Sequence, residues 1–475
     1  MTVFLCPITY LLFFLQKHID YDKNLKLLLT RLYKSYYNLF AALNYGGFVM
    51  NELCENYIEE YGKVPLKGEY DVIVAGAGVA GVAAALSAKR MGKTVLLIEK
   101  SLTLGGLATL GLINLFVPMC NGRGKQIIYG MAEELLRESI KYGYDTIPAD
   151  WLDGEPQGET KSRYLTRFSA NIFALVLTEM ITDSGVDLLL DTVISKPVME
   201  NGHCKGLIVE NKTGREYFEG KIIIDTTGDS DILYRAGLPT YQGGNYFSYF
   251  ALGTNLETME KACKSGKINN AFYYVCGGNA NLYGTNHPKD MPLFPGTTAE
   301  NVTEYIVKNQ KVLLEKLKKQ DRQTREIVTL PGMAQFRTTR RLIGDYELKG
   351  EERFVHFEDS ISALCDFENR DWLYELPYRC LVKTGFDNLI TAGRSVSASG
   401  WAWEVTRVIP PAIVSGQAAG IAAAMAIDTG KPIYGIDVKE LQATLEKQNV
   451  MIHFDDSLIP DDPDLKVLMP GDGHF

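Results

Sequence analysis

The segment from Asp71 to Glu99 constrains the fold of this chain more than any other stretch of its sequence. It contains a short apolar run (DVIVA), a glycine-rich turn (GAGVAG), a helix-forming stretch (VAAALSAKRM) and a second apolar run (TVLLIE). Short β-branched runs that alternate with a helical stretch are typical of a βαβ unit in a parallel sheet. The segment therefore predicts an α/β fold.

The glycines of this turn have the spacing GxGxxG, and an acidic residue ends the second strand. Gly76 permits the tight turn, Gly78 lets a pyrophosphate approach the backbone, and Gly81 lets the helix touch the strand. Glu99 lies eighteen residues after Gly81, near the ~20 expected for the acid that binds a ribose 2′-OH. Because its charge repels a 2′-phosphate, the pattern predicts FAD or NAD rather than NADP.

Later segments favour FAD over NAD. The Gly105-Gly106 loop follows the acidic residue closely and can run along the cofactor towards its ring. Gly228 and Asp229 follow the strand KIIID, and TAGR (Thr391 to Arg394) repeats that arrangement at the edge where open α/β sheets bind ligands. The predicted cofactor-binding residues are Gly76, Ala77, Gly78, Val79, Ala80, Gly81, Glu99, Lys100, Gly105, Gly106, Leu107, Val193, Thr227, Gly228, Asp229, Gly393, Arg394 and Gln417.

Further helices and a β-meander follow the first unit. Apolar residues return every three or four positions in Met131–Tyr142 and Asn171–Ser184, as in amphipathic helices that cover a sheet. The runs VDLLLDTVI, GLIVEN, REYFEG and KIIIDTT read as separate short strands, with turns at Asn201-Gly202 and Thr213-Gly214. They predict a β-meander beside the parallel sheet.

Composition divides the chain into parts. Between Ala236 and Gly385 it is rich in Tyr, Asn and Gly, and an Ala/Gly-rich helix that can pack closely follows near Pro410–Ile427. The predicted fold class is α/β, a Rossmann-like FAD-binding domain with a β-meander, interrupted by a smaller α+β substrate domain. The predicted parts are an N-terminal extension (1–49), the first part of the FAD-binding domain (50–235), the substrate domain (236–385), the second part of the FAD-binding domain (386–430), and a C-terminal helix and tail (431–475).

Overall composition predicts a folded, soluble protein, since 46% of the residues are hydrophobic and 23% are charged. A net charge of −9 argues against nucleic-acid binding, which needs Lys and Arg against phosphates. The apolar segment Val3–Leu15 is shorter than the ~20 residues that span a membrane, and no basic region precedes it. We therefore predict neither a stable membrane span nor a secretory signal, and Met50 is a possible natural start.

The eight cysteines are scattered, with neither a CxxC pair nor a Cys/His cluster of metal-binding spacing. This disfavours zinc, iron–sulfur clusters and a dithiol redox pair. His356 stands alone and reads as an ordinary surface or core histidine. The sequence therefore predicts no metal site, reduced thiols and a cytoplasmic location.

The chain resembles the FAD-dependent oxidoreductases of the heterodisulfide reductase A-like branch. The matching segments cover most of Tyr70–Asp428: DVIVAGAGVAGVAAA, the GGLAT loop, IIIDTTGDSDI, RTTRRLIGDYEL, LPYRCLV and NLITAGRSVSASGWAWEVTRVIPPAIVSGQAAGIAAAMA. The resemblance implies non-covalent FAD, a discontinuous flavin domain with an inserted substrate domain, and redox chemistry. Relatives that carry iron–sulfur clusters bind them through clustered cysteines, which this chain lacks.

The predicted catalytic residues lie mainly around a Gly/Ser/Trp loop near the flavin ring. Arg394 and Arg407 flank this loop, and either could bind a substrate carboxylate or stabilise the reduced flavin. Glu404 is the predicted base, with an ion pair to one of these arginines as the alternative. In an extended loop Trp401 and Trp403 would face the same side, where they could line a pocket or pack in the core.

A second group of basic residues includes the predicted catalytic residue Arg340. Helical spacing would place Arg337 and either Arg340 or Arg341 on one face, with a solvated basic face as the alternative. Tyr378 and Arg379 follow a proline at the predicted domain junction, where a crevice usually opens.

These features predict an FAD-dependent dehydrogenase or reductase that transfers hydride between flavin N5 and a small polar metabolite. No second GxGxxG is followed by a strand and an acid, so a separate NAD(P)H domain is not expected. The flavin must therefore exchange electrons with the substrate, with oxygen or with a redox partner protein. The main alternative is a flavin electron-transfer component of a larger redox complex; a flavin-dependent tRNA-modifying protein is disfavoured by the acidic charge.

Overall fold

A computed structural model of the chain describes residues 60 and 62–461. The structure separates into two units, Met1–Gly62 and Lys63–Phe475, and nearly all described residues belong to the second. The predicted N-terminal extension at 1–49 lies outside the described residues, as do Cys6 and Cys54.

Strands and helices alternate through the described part of the chain. In chain order the strands are β1 (Leu66–Ala75), β2 (Val95–Ile98), β3 (Leu115–Phe116), β4 (Thr166–Arg167), β5 (Asp187–Leu189), β6 (Val193–Glu200), β7 (His203–Asn211), β8 (Gly214–Asp225), β9 (Thr240–Gln242), β10 (Ser248–Asn255), β11 (Tyr273–Asn279), β12 (Arg325–Thr329), β13 (Arg340–Leu342), β14 (Ser360–Cys365), β15 (Leu373–Pro377) and β16 (Leu389–Thr391). The helices are α1 (Val79–Arg90), α2 (Met131–Ile140), α3 (Ala170–Asp183), α4 (Asp231–Arg235), α5 (Leu256–Ser265), α6 (Ala299–Leu317), α7 (Trp401–Thr406), α8 (Ile409–Thr429) and α9 (Val438–Lys447).

A seven-stranded mixed sheet forms the centre of the molecule, in the order β5-β2-β1-β8-β7-β6, with β16 paired to the end of β8. Strands β5, β2, β1, β8 and β16 run parallel, while β6, β7 and the first half of β8 form the antiparallel meander. The fold is therefore α/β, with a Rossmann-like parallel sheet and the predicted meander.

Two strand predictions are wrong. The run VDLLLDTVI, predicted as one strand, is divided between β5 and β6, with Asp191 between them at a φ of 51°. The runs REYFEG and KIIID, predicted as separate strands, form the single strand β8, which pairs with β1 from Leu66 to Ala75. Gly220 at their junction makes no turn, since β8 continues to pair with β1 through it. A Cβ there would lie 2.8 Å from the Ile73 side chain of β1. This glycine lets the neighbouring strand's side chain pack over β8 and does not end it.

The loops that continue the parallel strands meet at one edge of the sheet. Gly76 follows β1, Glu99 follows β2, Thr226 follows β8 and Ala392 follows β16. Their strands are neighbours in register, with Ala75 opposite both Ile98 and Asp225. The predicted cofactor motifs, far apart in sequence, therefore converge at the carboxyl edge, where α/β sheets bind ligands.

Helix α8 packs its backbone against α1, as its Ala/Gly composition predicts. A Cβ on Gly416 would lie 2.2 Å from the Ala80 carbonyl oxygen, and one on Gly420 would lie 2.3 Å from that of Ala84. Among the described residues α8 is the one helix long and apolar enough to cross a membrane, yet all of its most apolar window is buried in the fold. Buried core helices commonly have this composition.

The inserted region carries its own small sheet, β11-β10-β12, covered by α5 and α6. Its aromatic and aliphatic residues form two separate clusters, centred on Phe247, Phe294, Tyr305 and Phe336 and on Tyr249, Ala251, Val275 and Leu313. Strands β14 and β15 instead bury Ile361, Leu364 and Leu373 in the large core that includes α1 and α8. The separate core of the insertion is thus built from residues between β9 and β13.

Two local predictions around the catalytic candidates are wrong. Trp401 and Trp403 lie in the short helix α7 and not in an extended loop, so their side chains leave the backbone in different directions. Arg340 and Arg341 lie in strand β13 and not on a helix, so they point to opposite faces. In both segments tertiary packing determines the backbone more strongly than local spacing.

Candidate functional site

The glycine turn after β1 has the geometry that its three glycines predict. Gly76 has a φ of 99°, and a Cβ on Gly81 would lie 1.9 Å from the Gly76 carbonyl oxygen. A Cβ on Gly78, in contrast, would meet no heavy atom within 4 Å. Gly76 and Gly81 are therefore required by the protein's own packing, whereas Gly78 borders open space into which a ligand can come close.

The Glu99 carboxylate connects the acidic strand end to the glycine turn. One of its oxygens accepts a hydrogen bond from the Ala77 N–H at 2.7 Å, and the other accepts one from the Ser101 N–H at 2.8 Å. A carboxylate has about four acceptor sites, so both oxygens can still accept a ribose hydroxyl. The side chain is thereby held in place before a cofactor arrives.

The Gly105-Gly106 loop lies directly against this turn. Its Gly105 N–H donates to the Ala77 carbonyl at 2.8 Å, and Gly106 adopts a φ of 54° with its Cα side facing Gly78. Helix α1 begins at Val79, and no side chain caps its N-terminus. Uncapped N–H groups at a helix N-terminus favour a phosphate through hydrogen bonds and the helix dipole.

The loop after β8 is held from within the core. Asp225 is fully buried, and its carboxylate accepts hydrogen bonds from the N–H groups of Thr227, Ile232 and Leu233 at 3.0, 2.9 and 3.0 Å. These bonds fix the chain on both sides of Gly228, which has a φ of 79°.

Arg394 fastens three segments together and has no guanidinium nitrogen left unbonded. Its Nε donates to the Gly228 carbonyl at 2.5 Å, Nη1 to the Phe336 carbonyl at 2.7 Å, and Nη2 to the Asp229 carboxylate at 2.6 Å. Asp229 also accepts a hydrogen bond from the Thr339 hydroxyl. Arg394 therefore joins the ends of β8 and β16 to the inserted region, and this favours a positioning role over substrate binding.

These observations test whether the residues fit FAD, and they do. The open side of Gly78, the uncapped start of α1 and the Glu99 carboxylate suit an adenosine diphosphate moiety. Beside Gly393, the Ser395 hydroxyl is buried and has no hydrogen-bond partner in the described part of the chain. A buried unpaired hydroxyl costs free energy, so it is a candidate contact for the remainder of the cofactor.

Other predicted cofactor contacts lie further out. Lys100 is exposed, and Val193 is exposed on β6. Gln417 is directed away from the glycine turn, since its amide accepts a hydrogen bond from the Met131 N–H at 3.0 Å and donates one to Gln448 at 2.8 Å. The structure therefore does not support a cofactor contact of the Gln417 side chain.

Gln417 also borders a surface depression of about 450 Å³ that includes Arg90. Helix α1 starts at the carboxyl edge and ends at Arg90, so the Arg90 side of this depression lies about 18 Å along the helix from the glycine turn. We place the candidate site at the carboxyl edge, because the cofactor motifs converge there.

Two further arginines, Arg407 and Arg337, interact with Glu404. Arg407 contacts Glu404 through Nε at 2.8 Å and through Nη2, which is the ion pair that sequence analysis gave as the alternative to a free base. Burial, and then the charge of Arg407, lower the pKa of Arg337 to about 10. Among the described residues no hydrogen bond or ion pair reaches the Arg337 guanidinium. The Arg337 charge is thus felt by Glu404 at a distance but has no direct hydrogen-bond partner among the described residues.

A stack of aromatic rings adds to this group of charged residues. Trp401 lies between Tyr283 and Phe367, with ring centroids 5.9 and 5.8 Å apart and nearly parallel planes. Its indole N–H donates to the buried Asp366 carboxylate. The Tyr283 hydroxyl is buried without a hydrogen-bond partner in the described part of the chain, and neighbouring carboxylates, Glu404 among them, act on it electrostatically.

Glu368 completes this region and was missed by sequence analysis. Burial, and then the negative charge of Asp366, raise its pKa to about 7, with Arg163 acting in the opposite direction. A carboxyl group with a pKa near the working pH suits general acid–base chemistry. The segment DFENRDW between β14 and β15 carries the only local signal, an acid-rich run between two apolar strands.

We define the polar cluster as the six residues Tyr283, Arg337, Glu368, Trp401, Glu404 and Arg407. It combines cationic, acidic and aromatic groups, several of which lack partners in the described residues. Of the predicted catalytic residues, Arg407 and Glu404 belong to it.

The remaining candidates have structural partners. The Arg340 guanidinium lies 3.9 Å from the Tyr234 ring centroid, and that of Arg341 pairs with Glu347 at 2.8 Å. At the predicted domain junction Tyr378 and Arg379 are likewise engaged, since the Tyr378 hydroxyl donates to a backbone carbonyl at 2.6 Å and Arg379 forms a two-bond ion pair. These side chains stabilise the fold around the site.

Comparison with known proteins assigns a family. The family described as "FAD dependent oxidoreductase" matches residues 71–270 and 255–445, which together cover most of the chain. The match includes the glycine turn, Glu99, the loop after β8 and the segment from Gly393 to Arg407.

Individual relatives are distant. A digeranylgeranylglycerophospholipid reductase from Methanoculleus marisnigri is 28% identical over 190 residues, 37% of this chain and 43% of that protein. The tRNA uridine 5-carboxymethylaminomethyl modification enzyme MnmG from Lactobacillus gasseri is 28% identical over 197 residues, 40% of this chain and 29% of that protein. The chain thus spans less than half the length of these relatives. A solved geranylgeranyl bacteriochlorophyll reductase-like protein from Thermoplasma acidophilum is 14% identical over 82% of this chain and 95% of that chain, with a TM-score of 0.42.

Proposed function

Because the chain belongs to the FAD-dependent oxidoreductase family, we propose that it oxidises a small polar metabolite carrying a hydroxyl group and an anionic group. The observation that carries this proposal is the polar cluster, where the cation Arg337 and the high-pKa acid Glu368 lie near one aromatic stack. Bound FAD supplies the two-electron acceptor, which takes a hydride at N5.

Arg337 supplies the anion contact in this proposal. A half-buried guanidinium without a hydrogen bond favours a ligand carboxylate, because the pair forms charge-assisted, often bidentate hydrogen bonds. Arg407 adds positive charge nearby, and its bond to Glu404 keeps it fixed. Together the two arginines and one glutamate leave a single net positive charge, which matches a monoanion.

Glu368 supplies the base. In its ionised form it accepts the proton of the substrate hydroxyl, while the hydrogen on the same carbon leaves with two electrons and the alcohol becomes a carbonyl compound. Trp401 and Tyr283 present a flat apolar face beside these polar groups, which orients the carbon skeleton. The proton and the hydride thus leave from adjacent atoms.

The proposal also covers the family branch, the cellular location, the class of substrate and the redox partner. The segments IIIDTTGDSDI, RTTRRLIGDYEL and LPYRCLV support placement in the heterodisulfide reductase A-like branch. The described cysteines are free thiols, which supports a cytoplasmic location, and the acidic net charge supports a small-molecule substrate over a nucleic acid. A redox partner protein is one possible route for reoxidising the flavin.

Anaerobic mixing of the FAD-loaded chain with hydroxy compounds tests the proposal. We expect hydroxy acids to bleach the flavin absorbance faster than their uncharged amides, because only the acids can pair with Arg337. Equal bleaching by acids and amides would contradict the anion contact. Failure of all hydroxy compounds to bleach a chain that is reduced normally by dithionite would contradict alcohol oxidation.

A further inference from the structure

A second cluster of polar side chains lies apart from the cofactor motifs, where the C-terminal segment meets the β14–β15 hairpin. His356 Nδ1 lies 2.6 Å from one oxygen of Glu375, and His453 Nδ1 lies 3.0 Å from the other. One ligand atom from each of the three residues lies within 4.8 Å of the other two. Residues 97 positions apart in sequence thus converge on one carboxylate.

Both ring nitrogens of His356 face a carboxylate, so a neutral ring cannot donate a hydrogen bond to both. Its Nε2 lies 2.9 Å from the Asp456 carboxylate while its Nδ1 faces Glu375. A neutral imidazole has a single N–H. The lone pair of its other nitrogen would therefore face the lone pairs of a carboxylate oxygen, unless a further positive charge lies between them. Glu375 is fully buried, so its negative charge also needs compensation.

We propose that His356, Glu375 and His453 bind one divalent transition-metal ion, of the class that includes zinc and cobalt. Two imidazole nitrogens and one carboxylate form a donor set that such ions prefer, with ligand bonds of about 2.0–2.1 Å for zinc. A metal between the ligand atoms takes the place of the missing proton. The sequence predicted no metal site, because these ligands lie on segments up to 97 positions apart and form no local cluster.

The surroundings match those of metal-bound histidines. Asp456 accepts the N–H on the far side of the His356 ring, which is the arrangement that fixes a ligating histidine in its tautomer. The Phe357 N–H donates to Glu375 at 2.8 Å and holds the carboxylate in place. The side chains of His356 and His453 are 41% and 42% exposed, so an ion can enter and a water can complete its coordination.

Binding of zinc and cobalt(II) to the untagged, FAD-loaded full chain, after treatment with a chelator, tests the proposal. We expect one zinc ion per chain and the visible absorption of four- or five-coordinate cobalt(II). D456N should weaken zinc binding roughly 10–100-fold, and H356Q and H453Q should weaken it more. Unchanged flavin content and circular dichroism establish that each variant is folded.

A matched control separates this site from ordinary histidine–carboxylate pairs. His203 lies 2.9 Å from Asp387, and no second histidine from residues 62–461 contacts that carboxylate, so H203Q should leave zinc affinity unchanged. Absence of stoichiometric zinc binding would overturn the proposal, as would equal losses in H203Q and H356Q. Nitrogen chemical shifts of a doubly protonated His356 that do not change when zinc is added would also overturn it, since the positive charge would then be a proton.

Discussion

The environments of two arginines, Arg394 and Arg337, differ in how many hydrogen bonds their guanidinium groups form. Arg394 uses all three guanidinium nitrogens on Gly228, Phe336 and Asp229. Arg337 is half-buried, and no hydrogen bond or ion pair from the described residues reaches its guanidinium. Both residues lie in segments that resemble the same family, and the sequence favoured Arg394 as the catalytic candidate.

This difference in hydrogen bonding indicates that Arg394 is a positioning residue and that Arg337 is a candidate substrate contact. All three guanidinium nitrogens of Arg394 already bond the protein, and removing this side chain leaves its carboxylate partner uncompensated. A half-buried arginine whose guanidinium has no hydrogen bond carries a desolvation cost that an incoming anion relieves. We therefore expect changes at Arg394 to act on stability and changes in the polar cluster to act on turnover.

The largest expected effect is on turnover, from Glu368→Gln. Removing a general base typically lowers the rate by about 10²–10⁴-fold, so we expect a loss of this size in the rate of flavin reduction, with FAD content unchanged. In the wild type the rate should rise with pH through about 7, since only the ionised carboxylate accepts a proton. Stopped-flow absorbance across pH checks both; a loss under threefold with an unaltered pH profile would remove Glu368 from the mechanism.

The next effect is on stability, from Arg394→Ala. Loss of a buried, fully bonded guanidinium that leaves Asp229 unpaired should lower the free energy of unfolding by about 3–5 kcal/mol. Urea unfolding of the FAD-loaded chain measures it. Arg379→Ala, which breaks a half-exposed ion pair with Asp359, serves as the control and should cost at most about 1 kcal/mol. If Arg394→Ala were as stable as Arg379→Ala but slow in turnover, Arg394 would act in the reaction and would not be a positioning residue.

A third effect of similar size concerns pH and stability. The folded-state pKa of Glu368, about 7, exceeds its ordinary value of 4.5, so between these values the folded chain holds a proton that the unfolded chain has lost. Stability should therefore fall as pH rises from about 4.5 to about 7, by about 3 kcal/mol from this residue. Glu368→Gln should remove that part of the slope in unfolding experiments at several pH values; an identical slope in both proteins would refute the raised pKa.

The smallest effect distinguishes two glycines of the turn. A Cβ at Gly78 meets no protein atom, so Gly78→Ala should leave the apo-protein's stability unchanged but weaken FAD binding about tenfold by crowding the ligand. Gly81→Ala should destabilise the apo-protein itself, because its Cβ would overlap the Gly76 carbonyl. Fluorescence titration with FAD and thermal unfolding measure the two. Equal FAD affinity in wild type and Gly78→Ala would place the cofactor elsewhere.

Local patterns predicted the cofactor unit well because its determinants are short-range. The GxGxxG turn, Glu99 and the close-packing α8 all follow from backbone needs that a few neighbouring residues express. The family itself was also predicted, and the match over residues 71–270 and 255–445 confirms it.

The polar cluster could not be predicted in the same way. Trp401 and Trp403 read as an extended loop, but α7 forms because Trp401 stacks between distant rings and Trp403 donates to the Arg394 carbonyl. Glu368 carries no motif, and its raised pKa comes from burial by residues far away in sequence. Saturation of Arg394 and isolation of Arg337 are likewise tertiary properties that no local spacing encodes.

The central claim is that the polar cluster, through Arg337, recognises an anionic substrate. Its most direct test is the ratio of flavin-reduction rates, measured by stopped flow at limiting concentration, for a hydroxy acid that bleaches the flavin and its uncharged amide, in wild type and in Arg337→Met. The loss of a charged hydrogen-bonding partner, about 1.5–3 kcal/mol, predicts that the preference for the acid falls by roughly 10–100-fold in the variant. An acid preference that is the same in both proteins would contradict the account.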